Sequence, residues 1–159
     1  MSNFFFIDRK SNKINSPLIV LIHGYGSNER DLFSLIDYFP IDSYVISLRA
    51  PKELFNDSYA WYDIYLDSNN KFYDHNAAAR VRDELFHFID DLSKSPNIDS
   101  DNITLIGFSQ GAILSHAISF SYPEKIKNII ALSGVVDEKI MKKTSLIPKT
   151  NIYISHGTN

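Results

Sequence analysis

The sequence predicts an α/β domain built on a doubly wound, mostly parallel β-sheet. Three observations predict it. Runs of strand length are apolar throughout, as in Leu18-Ile19-Val20-Leu21-Ile22, which suits strands buried on both faces. Helical patterns separate these runs, and strand–helix–strand repeats close into parallel sheets with helices on both sides. Glycine-rich turns and polar residues follow the strands directly, where such sheets bind their ligands.

The elements come in order. Phe4 to Ile7 reads as an early strand, and Leu18 to Ile22 as the first buried one. Asp31 to Phe39 is a short helix stopped by Pro40, followed by a strand over Tyr44 to Leu48. Pro51 to Asn70, rich in turn residues and aromatics, reads as loop. The best helix runs from Asn76 to Lys94, with Ala78, Val81, Leu85, Phe88 and Leu92 on one face at spacings of three and four. Asn102 to Ile106 is a strand running into Gly107, and Gln110 to Ser121 is a helix ending near Pro123. Ile129 to Leu132 and Ile152 to Ile154 complete the set as buried strands.

Length and composition bound the function. A chain of 159 residues with 44% hydrophobic residues makes one domain over 1–159 with a sizeable core. A net charge of −3 without a basic stripe argues against nucleic-acid binding, and a solvated helix face explains the lysines between Lys139 and Lys143. With no cysteine, disulfides, thiolate catalysis and cysteine-ligated zinc are excluded. No pair has His-Glu-x-x-His spacing, so no metal is expected. The N-terminus lacks a basic n-region and no stretch reaches membrane-spanning length, so a cytoplasmic protein with no membrane span is expected.

The chemistry is carried by Gly107-Phe108-Ser109-Gln110-Gly111. Gly-x-Ser-x-Gly between a strand and a helix is the nucleophile-elbow pattern: the serine sits at a strained apex, and the flanking glycines remove Cβ atoms that would clash. Three fixed residues in five are weak evidence alone, and a tight turn between core elements is the bland reading. The strand-like run before them and the helix-like run after supply the context the pattern demands. The Gly-rich turn His23-Gly24-Tyr25-Gly26 after a buried strand supplies the second part. Elbow hydrolases take one oxyanion-hole N–H from this loop and one from the residue after the nucleophile, here Tyr25 and Gln110. A dinucleotide fingerprint is the weaker reading of Gly24-x-Gly26, because Glu29 stands where the third glycine belongs.

The chain resembles the phospholipase/carboxylesterase family of α/β-hydrolases, which includes acyl-protein thioesterases and small bacterial esterases. The matching pieces are His23-Gly24-Tyr25-Gly26, Ala60-Trp61-Tyr62-Asp63, Gly107 to Ala112, Tyr122-Pro123-Glu124, Ala131-Leu132-Ser133-Gly134 and Ser155-His156-Gly157, in family order. The resemblance implies hydrolysis of small acyl esters or thioesters by Ser109, without cofactor or metal. It also implies that Gly24 and the loop around Trp61 border the substrate; packing alone is the other reading of Trp61. The oligomeric state is not read from the sequence.

A serine needs a histidine base, and the histidine an acid. In the family these follow in the order Ser, Asp, His, the Asp within a His-Gly-x-x-Asp pattern. Here the pattern reads His156-Gly157-Thr158-Asn159, with Asn159 one position before the acid. The remaining histidines are poor substitutes: His23 belongs to the oxyanion loop, His75 and His87 to the long helix, and His116 to the helix after Ser109. The expectation is an α/β-hydrolase domain incomplete at its C-terminus, lacking its last strand and helix, with impaired activity. The alternative is a hydrolase-like protein without catalysis, or a damaged gene product.

Overall fold

The computed structural model describes residues 4–67 and 70–158. In chain order the elements are β1 (Phe6–Arg9), β2 (Ser16–Ile22), α1 (Arg30–Phe33), β3 (Tyr44–Leu48), β4 (Lys52–Phe55), β5 (Ser58–Ala60), β6 (Tyr65–Asp67), β7 (Asn70–Phe72), α2 (His75–Ser93), β8 (Ile98–Phe108), α3 (Gln110–Ser121), β9 (Asn128–Leu132) and β10 (Asn151–Ser155). Short 3₁₀ turns span Ile36–Tyr38 and Glu138–Ile140.

The main sheet has the order β1-β3-β2-β8-β9-β10, with β1 antiparallel and every other pairing parallel. Its double winding is visible in β2. Leu18, Val20 and Ile22 enter a core shared with α2 and α3, whereas Ile19 and Leu21 enter a second core with Leu32 of α1, Val45 and Ile106. Alternation along a strand assigns the two faces, and each face needs its own helix. The α/β fold class expected from the sequence is the one observed.

Several boundaries differ from the sequence reading. The expected helix over Asp31 to Phe39 is a single α-turn followed by a 3₁₀ turn, because Leu35 already leaves helical geometry (φ −88°, ψ 8°). The segment read as loop from Pro51 folds into two antiparallel hairpins, β4–β5 and β6–β7; Ser68 and Asn69 lie outside the described residues. On α2 the most buried side chains are Ala78, Arg82, Leu85, Phe86, Ile89 and Ser93, while Val81, Phe88 and Leu92 are partly buried against the same core. The stripe is broader than the periodicity indicated because α2 packs on α3 and on the 138–140 turn as well as on the sheet. Arg82 is buried there because its guanidinium donates to Ile140 O and pairs with Asp83. At the other end, Asp74 caps α2 by accepting from the N–H groups of Asn76 and Ala77.

The strand β10 lies at the edge of the sheet. It pairs with β9 as a parallel strand, but Ile152, Tyr153 and Ile154 are 39%, 62% and 55% exposed rather than buried. Among the described residues nothing pairs with its outer edge.

Candidate active site

Ser109 stands between β8 and α3 with φ 52° and ψ −113°, a region that L-residues other than glycine rarely occupy. Two backbone hydrogen bonds hold it there, and its side chain adds none. Its N–H donates to Leu132 O at 2.9 Å, its own carbonyl accepts from Ile113 N–H at 3.1 Å, and its hydroxyl does not cap the helix. The flanking glycines are required by close approach: a Cβ on Gly111 would lie 1.9 Å from Ile22 O, and one on Gly107 would lie 2.3 Å from Gly111 O. The side chain therefore sits half-buried at the N-terminus of α3, where the helix dipole favours developing negative charge.

The glycine-rich loop arrives beside it because β2 and β8 are parallel neighbours with Ile22 opposite Gly107. Two residues further along each chain, a Cβ on Gly24 would lie 3.3 Å from Ser109 Cβ. Gly24 O accepts from His23 Nδ1–H at 2.7 Å and from Ser27 N–H at 3.3 Å. In a trans peptide the next N–H points the opposite way, so Tyr25 N–H is directed away from both donors. Among the described residues Tyr25 N–H has no hydrogen-bond partner. Gln110, the first residue of α3, has no acceptor for its N–H within the helix. Tyr25 and Gln110 thus lie in the two segments that flank Ser109.

The side chain of Gln110, for which the sequence gives no signal, ties the elbow to the segment after β5. It is buried; Oε1 accepts from Trp61 N–H at 3.1 Å, and Nε2–H donates to Tyr62 O at 2.8 Å. Trp61 continues the chain by donating its indole N–H to His23 O at 2.8 Å. Of the two readings of Trp61, packing fits its position. The ring is 2% exposed, packed 6.0 Å from Phe4 and 5.2 Å from the His23 ring. An aromatic side chain with one buried polar atom reaches a low-energy state when that atom finds a partner, and His23 O is that partner. Trp61→Phe keeps an aromatic ring but removes the indole N–H that serves His23 O and leaves a void, and is expected to lower unfolding free energy by about 1–3 kcal/mol in a urea titration.

The histidines are accounted for one by one. His23 is fully buried; Nε2 accepts from Ala50 N–H at 3.1 Å, which leaves the proton on Nδ1 facing Gly24 O. His75 Nε2 lies 3.6 Å from an Asp137 carboxylate oxygen. His87 lies beside the Phe86 and Tyr122 rings, and His156 Nδ1 is 3.1 Å from Gly157 O. His116 is buried in α3, and among the described residues neither of its ring nitrogens has a partner. Asn159 lies outside the described residues.

Burial pushes the pKa of both His23 and His116 below the ordinary histidine value, for His23 against the opposing effect of Gly24 O. The unfolded chain then binds protons that the folded chain does not, so stability is full above about pH 6.5 and falls as the pH drops below it. The melting temperature is expected to decrease from pH 7 to pH 5. His116→Leu is expected to flatten that slope and to raise stability at pH 7 by about 1 kcal/mol, since it removes an unpaired buried polar group.

Among the described residues no cluster of three or more His, Cys, Asp or Glu could hold a metal ion. The family profile described as Phospholipase/Carboxylesterase matches residues 3–159. The chain belongs to this family. It is 37% identical over 75 residues to acyl-protein thioesterase 1 of Schizosaccharomyces pombe, covering 47% of this chain and 33% of that protein. It is 27% identical over 113 residues to MhqD of Bacillus subtilis, covering 71% of this chain and 54% of that one. The matched stretches thus span about half the length of these relatives or less. Among solved structures, the Bacillus cereus carboxylesterase superimposes with a TM-score of 0.80 at 25% identity, covering 98% of this chain and 71% of that one. YahD, solved with malic acid, shares the fold with a TM-score of 0.74 at 18% identity, covering 100% of this chain and 76% of that one.

Proposed function

We propose that this phospholipase/carboxylesterase-family chain carries the nucleophile half of a serine hydrolase that cleaves carboxylic esters or thioesters. Ser109 Oγ attacks the acyl carbonyl, the alcohol or thiol leaves, and water releases the acid from acyl-Ser109. The N–H groups of Tyr25 and Gln110 stabilise the oxyanion that forms in both steps. The observation that carries the reading is the strained Ser109 apex with Gly24 packed against it, an arrangement with a steric cost and no evident packing benefit. Each histidine among the described residues is placed without a hydrogen bond to Ser109, so the reading draws its general base from outside them. That same observation favours a second reading, a hydrolase-like chain that binds an acyl ligand without turning it over.

The proposed substrates are small acyl esters or thioesters and the proposed setting is cytoplasmic; among the described residues no helix is long and apolar enough to cross a membrane. The test is intact-mass analysis after mixing with p-nitrophenyl acetate. The polypeptide used carries residues 1–159 followed by the segment that longer family members add. One acetyl group mapped to the Ser109 peptide is the expected result; acetylation elsewhere, or none, defeats the hydrolase reading.

A further inference from the structure

We propose that Arg49 is a positioning residue for the oxyanion loop, acting through Glu29 and Tyr59 while touching neither Ser109 nor either donor N–H. The proposal rests on the reading of Tyr25 N–H as an oxyanion donor.

The loop from Gly24 to Glu29 has no ladder of its own, so something must fix its path. Its middle is held by β5: Gly26 N–H donates to Tyr59 O at 2.8 Å, and Tyr59 N–H donates to Ser27 O at 2.8 Å. Ser58 Oγ–H adds a bond to Gly26 O at 2.7 Å. Its end is held by Glu29, whose side chain is 1% exposed. A carboxylate at that depth is costly unless both oxygens are satisfied. Arg49 satisfies them with a fork, Nε to Oε2 at 2.7 Å and Nη2 to Oε1 at 2.6 Å. The guanidinium in turn lies between two rings, 4.3 Å from the Phe5 centroid and 4.7 Å from that of Tyr59. Tyr59 therefore holds the loop with its backbone and Arg49 with its ring, and Arg49 joins both anchors into one unit.

Stability alone is a poor account of this pair. Buried ion pairs are often replaceable by apolar residues at little cost, and their best-supported benefit is a fixed geometry. Here the geometry fixed is the peptide preceding Gly26, one bond from the proposed donor.

Amide exchange in the 159-residue chain tests the clamp independently of turnover. In Arg49→Met, the Gly26 and Tyr59 amides are expected to exchange at least about tenfold faster relative to those of Leu105 and Ile106 in β8. Arg49→Lys, which keeps the charge but loses the fork, is expected to fall between. Uniform acceleration of all four amides would mean a role in global stability only, and it would overturn the proposal; so would unchanged exchange. Should Arg49→Met fail to fold, Glu29→Gln tests the same contact by the same criterion. The catalytic arm uses the extended polypeptide and an activated ester. Arg49→Met is expected to lower kcat about 10–100-fold with KM near that of the unsubstituted protein, as for a misplaced donor. An unchanged kcat overturns the positioning role. If the unsubstituted protein shows neither turnover nor acyl-Ser109, the hydrolase reading fails instead, and amide exchange alone decides the clamp.

Discussion

Replacing Ser109 with alanine is expected to abolish labelling by a fluorophosphonate and to cut ester turnover by roughly 10⁴-fold or more in the extended polypeptide. The size follows from what remains. The proposed donor N–H groups of Tyr25 and Gln110 would still polarise a carbonyl, and such donors sustain in serine proteases a residual rate well above that of water. The covalent step, however, would have no acceptor atom. Stability should change little, since alanine keeps the Cβ and the strained φ and removes a hydroxyl that solvent reaches. Alanine labelled as strongly as serine would remove Ser109 from the mechanism.

The 159-residue polypeptide is expected to hydrolyse esters at least about 10³-fold more slowly than one continued by the segment found in longer family members, and to melt at a lower temperature. Catalysis suffers because His23 already uses both ring nitrogens and His116 lies buried away from any partner among the described residues. Stability suffers for another reason. The exposed Ile152-Tyr153-Ile154 edge of β10 presents unpaired backbone groups and apolar side chains together, a combination that favours aggregation. Ester turnover and thermal melting on the matched pair check both effects. Equal turnover would mean that one of these five histidines is the base after all, with His116 and His23 the first to substitute.

What the sequence disclosed depended on the range of the interaction. The sheet was readable because β2, β3, β9 and the second half of β8 are short, mainly apolar runs, and the Ser109 apex because glycines at 107 and 111 answer a local steric demand. The meeting of Gly24 with Ser109 was expected from the pairing of a Gly-rich turn with the elbow, and the adjacency of β2 and β8 that produces it is seen only in the structure. The hairpins β4–β5 and β6–β7 were not readable, since strands of three or four residues lack a run long enough to show alternation. Nor was the position of Trp61. The resemblance suggested that its loop borders the substrate, while the ring's place is decided by Phe4 and His23, which are remote in sequence. The clamps made by Gln110 and by Arg49 with Glu29 exist only after folding, and nothing in their local sequence distinguishes them from surface polar residues. For β10 the composition correctly indicated burial-grade side chains, while actual burial depends on what packs against the strand.

The central position of β2 also sets a timetable for biosynthesis. Its partner on one side, β3, leaves the ribosome soon after it, but its partner on the other side is β8, and the entire stretch from His23 to Asp101 must be translated before that edge can close. At about 5–20 residues per second the wait is roughly 4–16 s. Throughout it Leu18 to Ile22 form the most apolar strand of the nascent chain and hold half of their backbone bonds open. A chaperone that shields this strand until residue 107 emerges would act at the interval when misassociation is most favourable, and slowing translation between α1 and α2 would lengthen that interval rather than help the fold.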